Sequence, residues 1–268
     1  METSDRQAEW ARLEVANQKE MLAYLGTSPL AQVEQTNSLH WVITKVPSND
    51  YNGVLSTQLT DSAIDSTIQR ILDRFQAERL PFVWFIDQDT TPIDLSGRLV
   101  SRGCSRLDPG QGMAIELPAL PDLLLKRSDL VVRRVNTPDE LEAWMDVWTQ
   151  MHGEARQPRI ALYKSLLLRS DHRFRHYVAW LNGKPVGTTQ LFLGKRSAGL
   201  YCEAVLPTYQ RQGIGTALVV EALREAYLAG STTVFTGPTP ESASMYRRLG
   251  FRVFKSQGDM YHRWPDML

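Results

Sequence analysis

The stretch Leu206-Pro207-Thr208-Tyr209-Gln210-Arg211-Gln212-Gly213-Ile214-Gly215 decides the reading of this chain. It follows an apolar, strand-like segment, Ala198–Val205, and opens Ile214–Leu228, where Ile214, Ala217, Leu218, Ala222 and Leu228 tend to one side of a helix. Glycines at such a junction let the backbone approach a ligand closely, and the unbonded N–H groups of a helix start attract anions. Arg211 adds a positive side chain. The stretch reads as a phosphate cradle. A dinucleotide fold would require a small residue where this chain has Leu218, and a first glycine directly after the strand. Here Pro207 to Gln212 intervene. A nucleoside-triphosphate loop requires Gly-Lys followed by Ser or Thr, which is absent here.

Upstream, residues 130–135 have strand character. Thr137-Pro138-Asp139-Glu140 then combines an N-cap, proline at the first helical position and a capping-box glutamate. Leu141, Trp144, Met145 and Trp148 follow at helical spacing and mark a buried face. A second helix is expected over 160–169, then strands at Phe174–Leu181, 186–193 and Ala198–Val205. Asn182-Gly183 forms the first hairpin turn. Downstream of the cradle, 232–236 reads as a buried strand. Thr239-Pro240 caps a helix that runs to Leu249 and stops at Gly250, and a last strand starts at Phe251. Antiparallel hairpins followed by strand–helix–strand make a mixed α/β fold.

The first half repeats part of this order in weakened form. A helix around residues 61–78 leads to an apolar strand at 81–86, and Pro92 opens a short helix ending at Arg102-Gly103. Gly103 precedes Met113 by the interval that separates Gly250 from Met260. The first half has no glycine loop, because Leu55-Ser56-Thr57-Gln58-Leu59-Thr60 precedes its helix, and Leu99 takes the place of Tyr246. Pro118 and Pro121 break helix and sheet between the halves, so 118–122 is the expected linker.

Lys plus Arg equals Asp plus Glu at 30 each, so the net charge is zero and no basic excess points to nucleic acid. Lys126-Arg127 reads as part of the solvated linker. Cys104 and Cys202 lie far apart and in no CxxC pair, which argues against a disulfide framework or zinc site and fits a reducing cytoplasm. The charged start, METSDRQAEWARLE, has helical rather than leader character, and no apolar run is long enough for a membrane span. His172 and His176 are not a helical metal pair, since a strand begins between them, and no metal is expected.

Val205-x-Pro207-x-Tyr209-Gln210-x-x-Gly213-x-Gly215 closely resembles the acyl-CoA signature of the GNAT acetyltransferase superfamily. Ser242-Ala243-Ser244-Met245-Tyr246-Arg247-Arg248-Leu249-Gly250-Phe251 resembles that superfamily's final helix and strand. The resemblance covers about residues 130–264. It implies two GNAT-like α/β units in tandem, a degenerate one over 1–122 and an acetyltransferase domain over 130–268.

The resemblance also implies the chemistry: direct acetyl transfer from acetyl-CoA to an amine of a small molecule or peptide, within a ternary complex. Ala204 and Val205 would pair with the pantetheine arm through their main chain. Gln210, Arg211, Gln212, Gly213, Ile214, Gly215 and Thr216 would hold the pyrophosphate, and the Val205 N–H would stabilise the oxyanion. Tyr246 matches the general acid that protonates the thiolate, and Glu203 would take the amine proton directly or through water. His152 and Glu154 lie where the family builds its acceptor pocket. Thr239 stands where many members carry an asparagine that bonds the pantetheine, a departure from the pattern. The alternative reading is a CoA-binding regulatory module without chemistry.

Overall fold

The computed structural model describes residues 2–108, 110–117, 129–153, 155–256 and 258–264. The first half comprises helix α1 (Glu2–Leu25), strands β1 (Gln32–Gln35), β2 (Leu39–Ile43) and β3 (Gly53–Thr57), helix α2 (Asp61–Ala77), strand β4 (Phe82–Ile86), helix α3 (Leu95–Val100), and strands β5 (Ser105–Leu107) and β6 (Gln111–Glu116). The second comprises β7 (Leu130–Arg134), α4 (Pro138–His152), α5 (Arg156–Leu167), β8 (Phe174–Leu181), β9 (Lys184–Leu193), β10 (Ala198–Val205), α6 (Ile214–Leu228), β11 (Thr233–Thr236), α7 (Ala243–Arg248), β12 (Arg252–Lys255) and β13 (Asp259–Arg263). The linker at 118–122, with Lys126-Arg127, lies outside the described residues.

Two mixed sheets form, one in each of two units. One unit draws on α1 up to Gln18 and on the chain from Gln111 to Ser256. Its seven strands run in the order β12-β6-β11-β10-β9-β8-β7. Local sequence explains its elements. The Thr137 hydroxyl accepts from the Glu140 N–H while the Glu140 carboxylate accepts from the Thr137 N–H, closing the expected capping box at the start of α4. Leu141, Trp144 and Met145 are wholly buried, and the Trp144 Nε1–H donates to the Thr189 carbonyl at 3.1 Å. Asn182 and Gly183 both hold positive φ, 48° and 76°, as a tight two-residue turn between β8 and β9 requires. Helix α6 buries Ile214, Ala217, Leu218 and Ala222, whereas Leu228, expected on the same side, is exposed in the last turn. Trp10, Ala11 and Leu13 of α1 pack with Ala114, Phe235 and Phe254.

The other unit takes Lys19 to Gly110 together with β13, in a six-stranded sheet of order β1-β2-β3-β4-β13-β5. Its core holds Ile64, Ile68, Ile71 and Phe75 of α2 against Trp84, Phe82 and Tyr261. In each sheet antiparallel strands lead to a parallel pair joined by a helix: β3–α2–β4 in one, β10–α6–β11 in the other. Strands β1 to β3 are absent from the sequence-based expectation. They are only four or five residues long: β1 is mostly polar, and the apolar stretches Trp41-Val42-Ile43 and Val54-Leu55 are too short to mark a strand by period.

An exchange of strands is the main departure from the expected layout. β6 lies between β11 and β12 and is antiparallel to both, with Met113 opposite Thr236 and Val253. β13 lies between β4 and β5, with Tyr261 opposite Trp84 and Arg106. The matched intervals Gly103–Met113 and Gly250–Met260 thus lead in each case from the end of a short helix into a strand of the other sheet. A division at 122 follows the chain but not the sheets.

Candidate active site

Strands β10 and β11 pair in parallel only at Ala198↔Val234 and Gly199↔Phe235. Beyond Gly199 the two diverge, while β10 stays paired with β9 as far as Val205↔Gly187. The Leu206 N–H bonds the Val186 carbonyl at 2.9 Å. Since successive N–H groups of a strand point opposite ways, the Val205 N–H is turned away from β9, toward the split.

A bulge interrupts β10 at the same place. Tyr201 faces Gln190 and Ala204 faces Thr188, so Cys202 and Glu203 together oppose Thr189. Cys202 holds a φ of 53°, unusual for a residue with a Cβ, and its carbonyl accepts from the Thr188 hydroxyl at 3.2 Å. Bulges re-aim side chains and terminate pairing. Here the bulge accompanies a carboxylate that meets two partners from other elements. The buried Tyr246 hydroxyl of α7 donates to Glu203 Oε1, and the buried Thr236 hydroxyl, at the end of β11, donates to Oε2 at 3.3 Å.

Burial pushes the Glu203 carboxyl up to about 7, against the opposing pull of the Tyr246 and Thr236 hydrogen bonds. The Tyr246 phenol is pushed well above its usual range, first by burial and then by the neighbouring carboxylate. The sequence names Glu203 and Tyr246 as separate candidates. The structure brings them into direct contact and adds Thr236, which no local signal marked.

After β10 the cradle residues form a tight loop. Arg211 and Gly213 both hold positive φ, 62° and 82°, the left-handed conformation from which anion-binding turns of backbone N–H groups are built. The Gln210 side chain donates to the Val205 carbonyl at 3.0 Å, and the Gln212 side chain donates to the Thr208 carbonyl at 3.3 Å. Gly213 is the N-cap of α6, and no side chain caps the helix. The Ala217 N–H bonds Gly213, so the helix leaves the N–H groups of Ile214, Gly215 and Thr216 to other acceptors. A Cβ on Gly213 would meet no atom within 4 Å and would enter the open space over the loop. One on Gly215 would lie 3.2 Å from the Met245 sulfur, which fixes how closely α6 approaches α7. The loop and the split edge beside it fit a phosphate-bearing thioester with an extended arm.

Thr239 lies before α7 and shares hydrogen bonds with Ser242, whose N–H reaches its hydroxyl at 3.4 Å. The helix itself starts at Ala243, later than Thr239-Pro240 suggests, because this local turn comes first. His152 closes α4 with one edge in solvent and its ring against Trp148, centroids 3.7 Å apart; the partial loss of water around that ring, followed by the Arg159 charge, lowers its pKa. Glu154 lies outside the described residues. His176 is buried on β8, where burial lowers its pKa to about 3. Among the described residues no group of three His, Cys, Asp or Glu side chains is arranged to hold a metal ion. No helix among them is long and apolar enough to cross a membrane.

Comparison with known proteins agrees with this architecture. Residues 172–253 match the family described as acetyltransferase (GNAT) domain. A GCN5-related N-acetyltransferase from Kribbella flavida has a similar structure, with 18% identity, a TM-score of 0.63, and coverage of 94% of this chain and 93% of that one. A functionally unknown conserved protein from Staphylococcus epidermidis is 19% identical over 88% of this chain and 92% of that one, with a TM-score of 0.56. A GCN5-related N-acetyltransferase from Sphaerobacter thermophilus is 15% identical over 87% and 75%, with a TM-score of 0.51. No curated protein matches the chain. The chain therefore carries a domain of the acetyltransferase (GNAT) family at residues 172–253, within a fold shared with GCN5-related N-acetyltransferases.

Proposed function

We propose that the protein is an N-acetyltransferase that moves an acetyl group from acetyl-CoA to an amine of a small molecule or peptide by direct attack. One observation carries this reading: Tyr246 of α7 bonds Glu203 on the bulged end of β10, where β11 has diverged and the uncapped glycine loop follows. In this reading the N–H groups from Gln210 to Thr216 hold the pyrophosphate. The main chain of Ala204 and Val205 pairs with the extended arm. The Val205 N–H faces the oxyanion, Glu203 accepts the amine proton and Tyr246 supplies the proton to sulfur. Thr239 contacts the arm, and His152 and Glu154 border the acceptor.

The two halves of the chain, 1–122 and 130–268, are read as tandem GNAT-like domains, the first having lost its ligand loop. Their shared order of antiparallel strands followed by strand–helix–strand supports this. A cytoplasmic location belongs to the same reading, since both cysteines are thiols. A CoA-binding module without chemistry is the second reading, favoured by the engagement of the Thr239 hydroxyl with Ser242. Release of CoA thiol from acetyl-CoA, measured with a mixed panel of amines, separates the two. Amine-dependent release supports the enzyme, and saturable binding without release supports the module.

A further inference from the structure

Glu203 receives one hydrogen bond on each oxygen, from Tyr246 on Oε1 and from Thr236 on Oε2. A carboxylate offers about four lone-pair sites, so these two donors leave room for a third, such as an amine N–H. Thr236 and Tyr246 come from different elements, the end of β11 and the middle of α7, and both are buried. The carboxylate is therefore gripped from two directions. Among the described residues, Tyr246 and Thr236 are the groups that act on Glu203, and no lysine, arginine or histidine joins them.

This arrangement poses a problem for a mechanism with an independent acid and base. A phenol buried beside a carboxylate is a weaker acid than one in water, since its anion is both desolvated and repelled. A thiol has a pKa of about 8.5, so proton transfer from such a phenol to a thiolate runs uphill on its own. The repulsion disappears once the carboxylate carries a proton. The hydrogen bond between the two residues then offers a path for that proton to replace the one the phenol gives away.

We propose that Glu203, Tyr246 and Thr236 act as one proton-handling unit, in which the proton released by the attacking amine is matched by one delivered to the departing thiolate through the Glu203–Tyr246 hydrogen bond, with Thr236 as the positioning residue. The proposal rests on the acetyl-transfer reading above. The steps balance. The nitrogen lone pair forms the new N–C bond, the C–S bond breaks, and sulfur keeps its electron pair. The Glu203 carboxylate takes the proton lost by nitrogen. The Tyr246 hydroxyl gives its proton to sulfur, and the Glu203 carboxylic acid passes its proton to the tyrosinate. The products are an amide and a thiol, and both residues return to their starting states without exchanging a proton with solvent. Thr236 touches neither reactant in this scheme. Its hydroxyl holds Oε2 so that Oε1 stays on the Tyr246 hydroxyl, and it stabilises the carboxylate over the acid.

The test reads protonation of Glu203 and turnover separately. Protein labelled with carbon-13 at the glutamate carboxyl is titrated by NMR, and the Glu203 signal is assigned by its loss in Glu203→Gln. Its midpoint is expected near 7. Removing one hydrogen bond to a charged group raises that midpoint by about one pH unit in Thr236→Val. Thr236→Ser, which keeps the hydroxyl, restores it. Thr236→Ala serves the same purpose if the valine variant does not fold. CoA release, followed with an amine that the wild type acetylates, gives the second reading. Its acid limb moves with the NMR midpoint in each Thr236 variant. The double variant Glu203→Gln with Tyr246→Phe turns over within about threefold of the slower single variant, because members of one unit are not additive. An unmoved midpoint in the folded Thr236→Val or Thr236→Ala protein overturns the positioning role. Multiplying losses in the double variant overturn the relay. If the wild type acetylates no amine, acetyl transfer and the relay fall together, while the titration still decides whether Thr236 sets the state of Glu203.

Discussion

The Tyr246 hydroxyl donates to Glu203 Oε1 and so fastens α7 to the bulge of β10 across 43 positions of chain. This contact sets how the site responds to pH. Burial holds the Glu203 carboxyl near 7, so its basic form accumulates only as the pH rises through that value. Tyr246 remains protonated far into the alkaline range. CoA release should climb through about pH 7 and then level off, with no alkaline loss from the tyrosine. A profile that stays flat from about pH 5 to 9 would remove Glu203 from the role of base.

Replacement of Tyr246 by phenylalanine keeps the ring contact with Phe251, whose centroid lies 5.1 Å away, and removes only the hydroxyl. Turnover should fall by about tenfold or more, within the usual range for loss of a general acid. Affinity for acetyl-CoA, measured by calorimetry, should be nearly unchanged. Full turnover in this variant would exclude Tyr246 from proton transfer.

Gly213 combines a φ of 82° with open space where a side chain would project. Gly213→Glu therefore strains the loop and sets a negative charge against the helix start that would hold phosphate. Calorimetric titration with acetyl-CoA should show saturable binding in the wild type and none in the variant. Equal affinity in both would rule out the loop as the anion site.

Glu14 of α1 is buried, and its Oε2 accepts a hydrogen bond from the Ser256 hydroxyl. Burial raises its pKa from 4.5 to about 7, the serine only partly opposing this. A raised carboxyl pKa means that the folded state binds more protons than the unfolded state between those values. Its contribution to stability is full below the unfolded pKa and is lost as pH rises through about 7, amounting to about 3 kcal/mol. Glu14→Gln removes this loss. Relative to wild type, the urea midpoint of the variant should be higher at pH 8 than at pH 5. The same difference at both pH values would show that Glu14 does not titrate on unfolding.

Much of the fold is legible locally. Phe174–Leu181, Ala198–Val205 and Ile214–Leu228 have the same bounds in sequence and structure, because apolar residues repeat at the period of each element and turn residues end them. Thr137 and Glu140 are recognisable as a cap because their bonds span one turn. The bulge at Cys202 has no such signal, since nothing in its neighbours demands a left-handed residue there. Thr236 resembles any threonine closing a buried strand, and its bond to Glu203 joins β11 to β10 at the point where their backbones part. The exchange of β6 and β13 depends wholly on distant pairing. Matched intervals hint at a repeat but do not say which sheet each strand enters.

That exchange constrains what this chain can lose. The half without a glycine loop supplies β6, an inner strand of the sheet that carries Glu203 and the loop. Without β6, β11 and β12 would lose their shared neighbour and present unpaired inner edges, an invitation to aggregation. A chain built in this way cannot discard its first half without opening the sheet of the second. The last strand, β13, binds the bargain from the other side. The two fragments made separately should be insoluble alone and recoverable together, so that each half is inherited as an obligatory part of its neighbour.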